Sequence, residues 1–227
     1  MDKLISVAID GPAAAGKSTV AKKVASILGF TYIDTGAMYR AFTNAVIKKG
    51  YDPKNEALSC SLIPGMDIEL KEDGRVICNG EDVTKVIREP LVSGNVSYIA
   101  SYKGIRLALV EMQRKMAASK SVVMDGRDIG TYVLPNANVK IYQIASVETR
   151  AVRRYEENLA KGIPTTLEEV AEDVRKRDYI DSHREFAPLK PAVDSVLIDT
   201  SYMSVDQAVD AVLKVIHDKT GLEIPCH

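Results

Sequence analysis

The sequence predicts an α/β fold, built on a mainly parallel sheet with helices on both faces. Short apolar runs of the length typical of buried strands recur along the chain, and helical patterns lie between them. Parallel strands end at one edge of a sheet, so ligands are expected beyond their carboxyl ends. The predicted strands are 4–9, 31–33, 121–124, 139–144 and 195–198.

The helix after the first strand has clear limits. Val20, Val24 and Ile27 share one face of the segment 17–28. Gly29 follows directly, and glycine is common where a helix ends in a left-handed residue. The pattern therefore predicts a helix over the whole of that segment.

Two later helices are predicted from their first residues. Thr166 with Glu169, and Ser204 with Gln207, have the spacing of a capping box, in which two side chains satisfy free backbone N–H groups at a helix start. The proline-containing segment 187–191 favours a loop before the last strand.

The segment 66–83 departs from the parallel pattern. Two short apolar runs, 68–70 and 76–78, flank a Glu-Asp-Gly turn, as in an antiparallel hairpin. We therefore expect an inserted lobe at 36–100 that is part helical and part hairpin. The expected organisation is then a core of 1–35, 101–149 and 185–227, the lobe at 36–100, and a lid with its adjoining helix at 150–184.

Composition limits the classes of function. The chain has 227 residues, of which 46% are hydrophobic, and a formal net charge of −1. Neither extended nucleic acid nor an anionic membrane is an expected partner at that charge. No apolar stretch approaches the roughly 18 residues of a membrane span, and the N-terminus does not read as a signal peptide.

The three cysteines, Cys60, Cys78 and Cys226, are expected to be reduced. We expect a soluble, cytoplasmic monomer.

The sequence GPAAAGKS at 11–18 carries the clearest functional signal. It follows a predicted strand and opens a predicted helix, which is the context of a phosphate-binding loop. Backbone N–H groups of such a loop surround phosphate, Lys17 reaches the outer phosphates, and the Ser18 hydroxyl can bind Mg²⁺. The predicted ligand is a nucleoside triphosphate. The residues expected to hold it are Gly11, Ala13, Ala14, Ala15, Gly16, Lys17, Ser18 and Thr19.

Arginines near the predicted strand ends indicate a second anionic ligand, because guanidinium groups bind phosphate through two parallel hydrogen bonds. Three segments carry them. Thr35 is predicted to cap a helix that contains Arg40. The segment 125–128 follows the third strand, where an acidic residue can assist Mg²⁺. The segment 177–184 places Arg177, Asp181 and Arg184 on one helix face.

These arginines also admit a simpler interpretation. Arginines on helices are usually solvated, and Arg177 with Asp181 could be an exposed ion pair. A further group, Arg150, Arg153 and Arg154, is consistent either with a basic lid over the triphosphate or with a plain basic helix face. We interpret His183 as a surface residue, since transfer to an anionic acceptor needs no general base.

The chain resembles the bacterial cytidylate kinases over nearly its whole length. The resemblance is carried by 9–19, 34–40, 125–131, and Arg184 with 187–189. It implies a three-layer P-loop kinase core around a five-stranded parallel sheet, with an inserted lobe and a helical lid. It also implies transfer of the γ-phosphoryl group of ATP to CMP or dCMP, assisted by Mg²⁺.

The resemblance assigns roles to residues that match the family motifs. For the reaction itself we expect Lys17, Arg127 and Arg153 to be the catalytic residues, with Arg150 and Arg154 among those that bind ATP, since cations neutralise the charge of the transferred group. The remaining assignments concern the acceptor. They are Arg40, Arg127 and Arg184 with Thr35 for its phosphate, Ser97, Arg106 and Asp128 for cytosine, and Arg177 and Asp181 for the sugar hydroxyls.

The chain departs from the family at Ala14, where glycine is common. Some members also lack a hydroxyl at the position of Ser18, so its metal role is not essential there. Two rival functions stay open. One is a kinase for UMP or a sugar-like acid, and the other is a nucleotide-dependent switch or motor. The N-K-x-D motif that reads guanine in many switches is absent.

Overall fold

The structure, a computed structural model, describes residues 4–225. Cys226 lies outside the described residues, as do the first three residues of the predicted core. The strands, in chain order, are β1 Ser6–Asp10, β2 Thr31–Asp34, β3 Ile68–Leu70, β4 Val76–Cys78, β5 Glu81–Asp82, β6 Val122–Gly126, β7 Val139–Ile144 and β8 Val196–Asp199. The helices are α1 Lys17–Leu28, α2 Thr35–Lys48, α3 Glu56–Cys60, α4 Pro90–Ile99, α5 Lys103–Ala117, α6 Val147–Ala160, α7 Leu167–His183 and α8 Val205–Thr220, with a 3₁₀ turn at Val86–Arg88 and a π-helical turn at Ile129–Val133.

The main sheet has five parallel strands in the order β2-β6-β1-β7-β8. All five predicted strands are confirmed, and no end is shifted by more than two residues. The central strand β1 pairs with β6 and with β7, and Asp10 at its end lies opposite Gly126 and Tyr142. Polar residues that follow β1, β6 and β7 therefore meet at one edge of the sheet.

Helices α1 and α8 cover one face of this sheet. Val20 and Val24 of α1 pack with Val209 and Val212 of α8 and with Ile9 of β1 in one buried cluster. The α1 limits agree with the prediction, and Gly29 ends the helix with a φ of 65°. Apolar side chains at helical spacing on both helices thus fix the element that carries the loop 11–18.

The chain divides into two compact units. One contains residues up to 32 and from 120 onward, and the other is 33–119. The second unit contains the predicted hairpin, β3 with β4, and a short third strand β5 that the sequence did not predict. It differs from the predicted lobe, 36–100, by including α5. The reason is packing, because Leu109 of α5 lies in the same buried cluster as Phe42 of α2.

Helices α6 and α7 pack on each other through Ala151, Val170 and Val174. Both predicted capping boxes are present, at Thr166 before α7 and at Ser204 before α8. The segment 150–184 belongs to the unit that holds the main sheet. Its role as a lid stays a prediction.

Between residues 4 and 225, no helix combines the length and the hydropathy needed to cross a bilayer. Cys60 and Cys78 are free thiols, as predicted. No group of three or more histidine, cysteine or carboxylate side chains that could hold a metal occurs within the same range.

Candidate active site

The loop 11–18 joins β1 to α1 and has the backbone of a tight, glycine-dependent turn. Gly16 precedes the helix with a φ of 84°, and Gly11 has a φ of 152°. A Cβ atom on Gly11 would lie 1.9 Å from the backbone oxygen of Gln143, so no side chain fits there. Ala14 also has a positive φ, 57°. The loop therefore packs directly against β7.

Side chains hold three carbonyl groups of this loop. Lys17 Nζ donates to the Pro12 oxygen at 2.7 Å. Arg150 Nη1 donates to the Ala13 oxygen at 3.0 Å. Gln143 Nε2 donates to the Ala15 oxygen at 2.6 Å, and the Thr200 hydroxyl donates to the same oxygen at 3.4 Å. The loop conformation is thus fixed by bonds from residues scattered across the sequence.

Lys17 lies in the first turn of α1 and is 4% exposed. Burial lowers the pKa of its ammonium group to about 7, and the positive charge of Arg127 acts in the same direction. A buried lysine at the N-terminus of a helix is poised to gain a negative partner, because the helix end favours anions as well.

The Ser18 hydroxyl donates to Asp125 Oδ2 at 2.7 Å, and the Tyr32 hydroxyl donates to Asp125 Oδ1 at 2.8 Å. Asp125 lies near the end of β6 and is buried. A hydroxyl oxygen beside a carboxylate is the ligand chemistry that Mg²⁺ prefers, usually with water completing the shell. The side chains of Ser18 and Asp125 therefore fit that ion.

Arg150 is buried and forms an ion pair with Asp178 of α7, with 2.6 Å between Arg150 Nη1 and Asp178 Oδ2. Asp178 Oδ1 also accepts the Ala13 N–H at 3.3 Å. The Asp178 carboxylate of α7 thus accepts a backbone N–H of the phosphate-binding loop. Arg150 of α6 bonds both to that carboxylate and to the loop.

The other two basic residues of α6 differ from Arg150. Arg153 Nη2 donates to the Thr200 oxygen at 2.7 Å, and its Nη1 atom is 3.8 Å from the position of a Cβ on Gly16. Arg154 pairs with Glu157 at 3.0 Å. Arg150 and Arg153 therefore lie beside the loop, whereas Arg154 is engaged within its own helix. The interpretation of this group as a plain basic helix face is wrong for Arg150.

Asp10 organises the turn after β6. Its two carboxylate oxygens accept the N–H groups of Ile129 and Gly130, each at 2.7 Å. Burial raises the pKa of Asp10 to about 7 against the stabilising effect of these two donors. The end of β1 thus fixes the π-helical turn that follows Arg127 and Asp128.

Two ion pairs connect the residues after β6 with α7 and its end. Arg127 Nε lies 2.7 Å from Asp181 Oδ2, and Arg184 Nη2 lies 3.2 Å from Asp128 Oδ1. Burial alone would raise the pKa of Asp181, but Arg127 and Arg184 outweigh it and hold the pKa below its usual range. A basic cluster with fixed carboxylates is suited to an anion that also carries hydroxyl groups.

The structure contradicts one alternative interpretation and one prediction about 177–184. Arg177 and Asp181 are not an exposed pair, since Asp181 is 4% exposed and bonds to Arg127 instead. Arg184 is not on the helix, because α7 ends at His183 and Arg184 has an extended backbone. The Nε atom of Arg177 is buried and has no hydrogen-bond partner in the described part of the chain. His183 is exposed, as predicted, and stacks on Tyr179.

The unit 33–119 carries the other predicted acceptor residues. Thr35 was expected to cap α2, but Asp34 caps it by accepting the Ala37 N–H at 2.7 Å, and Thr35 is the buried first residue of the helix. Asp34 has the stronger acceptor and also lies 3.3 Å from Arg40 Nη2. A single side chain thus starts the helix and holds the arginine.

Arg106 and Ser97 are buried in the same unit. Arg106 is 1% exposed, donates to the Ala100 oxygen at 3.1 Å, and lies over the Tyr39 ring with its Cζ atom 5.4 Å from the ring centre. A guanidinium group held this firmly presents a fixed set of donors.

The structure brings most of the predicted residues together within their own units. The sequence also missed Gln143, Asp178 and Thr200, which contact the loop, and Asp10, which holds the turn after β6. Gln143 carried a usable signal, because it is a polar residue in a strand pattern that is otherwise apolar on its buried side. Asp178 looked like an ordinary residue of a charged helix.

Comparison with known structures shows the fold. An uncharacterized protein from Eubacterium ventriosum has a TM-score of 0.55 at 18% identity, with 95% of this chain and 99% of that chain covered. A gluconokinase from Sinorhizobium meliloti has a TM-score of 0.50 at 13% identity, with 94% and 92% covered. The predicted α/β P-loop kinase fold is confirmed.

Curated sequences are far more similar. The cytidylate kinase of Anoxybacillus flavithermus is 50% identical over 222 residues, which cover 96% of this chain and 99% of that protein. That of Oceanobacillus iheyensis is 51% identical, with 95% of both chains covered. A family model described as cytidylate kinase matches residues 7–218. With the phosphate-binding loop, the paired arginines and this similarity along the whole fold, the chain belongs to the cytidylate kinase family.

Proposed function

We propose that this protein transfers the γ-phosphoryl group of ATP to the phosphate of CMP or dCMP, giving ADP and CDP or dCDP. The observation that carries the proposal is the pairing of a phosphate-binding loop, Gly11 to Ser18, with a separate arginine and aspartate cluster in the same unit. Two anion-binding groups are what a reaction between two nucleotides requires. Membership of the family supports it.

The loop binds the donor in this proposal. The backbone N–H groups of 13–19 and the Lys17 ammonium surround its phosphates. Arg150 and Arg153 lie next to the loop and add positive charge, and Arg153 is the one we assign to the transferred group. We also assign Arg154 to the donor phosphates, and in the structure its guanidinium pairs with Glu157.

We assign Mg²⁺ to Ser18, with Asp125 holding its water ligands. When bound, the ion neutralises charge on the outer phosphates and orients them. The Tyr32 hydroxyl keeps the Asp125 carboxylate in place.

In this proposal the arginines bind the phosphate of the acceptor nucleotide, and the other assigned residues bind its base and sugar. Arg127 and Arg184 bind the acceptor phosphate, as does Arg40 with Thr35 beside it. Arg127 also neutralises charge that develops as the phosphoryl group moves. The remaining assignments are Ser97, Arg106 and Asp128 to cytosine and Arg177 and Asp181 to the sugar hydroxyls.

An ADP-release assay with CMP, dCMP, UMP and AMP tests the reaction. We expect rapid turnover with CMP and dCMP and slow turnover with the other two. ATP consumption that does not depend on CMP would contradict the proposal. Efficient turnover of UMP would instead favour a kinase for another acceptor.

Replacing Arg127 tests the proposed cation. Arg127→Ala is expected to lower kcat/KM for CMP by a factor of roughly 10²–10³, since a preorganised donor to the transition state is lost. Arg175→Ala is the matched control, because Arg175 lies on the exposed side of α7, 3.6 Å from Glu172. Equal kinetics for both variants would refute the role of Arg127.

A further inference from the structure

Gln143 is a buried polar residue at the base of the phosphate-binding loop. It lies on β7, where Val139, Ile141 and Gln143 share the buried side of the strand. Its side chain and backbone are 1% exposed. The first two residues pack in the apolar core with α1 and α8, but a glutamine at the third position has to satisfy an amide group.

Gln143 touches the loop at both ends. At the start of the loop, its backbone oxygen occupies the space that a side chain on Gly11 would need, 1.9 Å from the position of a Cβ. At the other end, its Nε2 atom donates to the Ala15 oxygen at 2.6 Å and lies 3.7 Å from a Cβ placed on Gly16. The residue therefore contacts the loop near its start and near its end.

The side-chain amide of Gln143 is only partly satisfied by hydrogen bonds. The Oε1 atom of Gln143 is buried and has no hydrogen-bond partner within the described chain. An unpaired buried acceptor destabilises a fold, and an apolar side chain of similar size would avoid that penalty. Only the donor half of this amide is in use, so the hydrogen bond to Ala15 is what the glutamine contributes.

The hydrogen bond from Gln143 to the Ala15 oxygen sets the direction of the Gly16 N–H, which belongs to the same peptide group. In a planar trans peptide the C=O and N–H bonds point to opposite sides. Because the Ala15 carbonyl is held toward Gln143, the N–H of Gly16 points away from β7. The Thr200 hydroxyl, 3.4 Å from the same oxygen, supports that orientation.

We infer that Gln143 is a positioning residue for donor binding: it holds the Ala15–Gly16 peptide so that the Gly16 N–H faces the bound phosphates. Lys17 and Arg150 hold two other loop carbonyls, but both are cations that phosphate itself attracts. Gln143 is neutral, so its bond to the loop persists when phosphate arrives. The inference rests on the proposed function, in which the loop binds ATP.

Gln143→Met tests the inference, because methionine has nearly the length of glutamine and cannot donate. We expect the Kd of a non-hydrolysable ATP analogue and the KM for ATP to rise roughly five- to tenfold, as for the loss of one buried hydrogen bond. The KM for CMP should not change. Gln143→Glu is a second variant, in which a carboxylate replaces the donor, and it should weaken ATP binding at least as much.

Ile141→Val is the matched control, since it removes a buried methylene from the same side of the same strand. An unchanged Kd and KM for the donor in Gln143→Met, or an equal rise in Ile141→Val, would overturn the inference. Failure of the proposed function is distinguishable. In that case the wild-type protein would not bind the analogue, or Lys17→Ala would bind it as well as the wild type does.

Discussion

Ala14 holds a backbone conformation that favours glycine. Its φ of 57° is left-handed, and an L-residue with a Cβ atom occupies that region at a cost of about 1–2 kcal/mol. This is the position at which the chain has alanine and glycine is common in the family. The structure supplies the reason that glycine is common there.

Ala14→Gly should therefore stabilise the protein, by about 0.5–1 kcal/mol after the greater chain entropy of glycine in the unfolded state is subtracted. Urea unfolding of the ligand-free protein measures the change. Ala187→Gly should behave similarly, since Ala187 has a φ of 49°. Ala25→Gly, within helix α1, should instead destabilise by about 1 kcal/mol. Destabilisation by all three variants would contradict the argument.

The lowered pKa of Lys17 predicts proton uptake when ATP binds. Burial shifts this pKa to about 7, so at pH 8 the side chain of the free protein is mostly neutral. A triphosphate beside it favours the charged form and raises the pKa. Calorimetric titration with ATP at pH 8, in two buffers of different ionisation enthalpy, should show net proton uptake. Lys17→Met should abolish it, and equal uptake by that variant would contradict the assignment.

Helix α7 contributes more to the site than its surface pattern indicates. Asp178 bonds to the loop and to Arg150, Asp181 bonds to Arg127, and Arg184 follows the helix and pairs with Asp128. One face of a charged helix is thus fixed to the end of β6 and to the phosphate-binding loop.

Removing one member of the innermost pair should be costly. The Arg184 and Asp128 side chains are 2% and 5% exposed, so Asp128→Ala takes away a buried counter-charge. We expect the free energy of unfolding to fall by about 3–5 kcal/mol. Glu111→Ala, at the exposed pair with Lys115, is the control and should change it by less than about 1 kcal/mol. Similar values for both variants, from urea titrations, would show that burial does not set the cost.

The sequence predicted elements well where the signal is local. Periodicity located all five strands of the main sheet, and the capping boxes located the starts of α7 and α8. The cap of α2 was misplaced by one residue: it is Asp34 and not Thr35, because the Asp34 carboxylate accepts the Ala37 N–H and also pairs with Arg40. The sequence failed more completely where a contact depends on distant partners. The contacts of Gln143 and Asp178 with the loop join residues more than a hundred positions apart, and no local pattern encodes them.

At the scale of the molecule, two separate hydrophobic clusters underlie the two compact units. The cluster around Phe42 draws only on residues of 33–119, and the cluster around Ile9 and Val212 draws only on the other unit. Each unit therefore has the apolar core that cooperative unfolding requires.

Phe42→Ala should act mainly on its own unit. Hydrogen exchange is expected to become faster in α2, α5 and β4, with smaller changes in β1 and α8, since the lost contacts belong to one cluster. Mass spectrometry of peptides from both units measures this in the intact chain. Equal loss of protection everywhere would show that the two cores open as one.

The hydrogen bond from the Ala13 N–H to Asp178 bears on the affinity of the loop for ATP. A carboxylate already occupies this backbone donor, and Arg150 already has a negative partner. A phosphate that takes either position must first displace the carboxylate, so binding there is an exchange of one anion for another. The measured binding free energy is then the difference between the interaction of this site with phosphate and its interaction with the Asp178 carboxylate, an anion that the protein itself supplies.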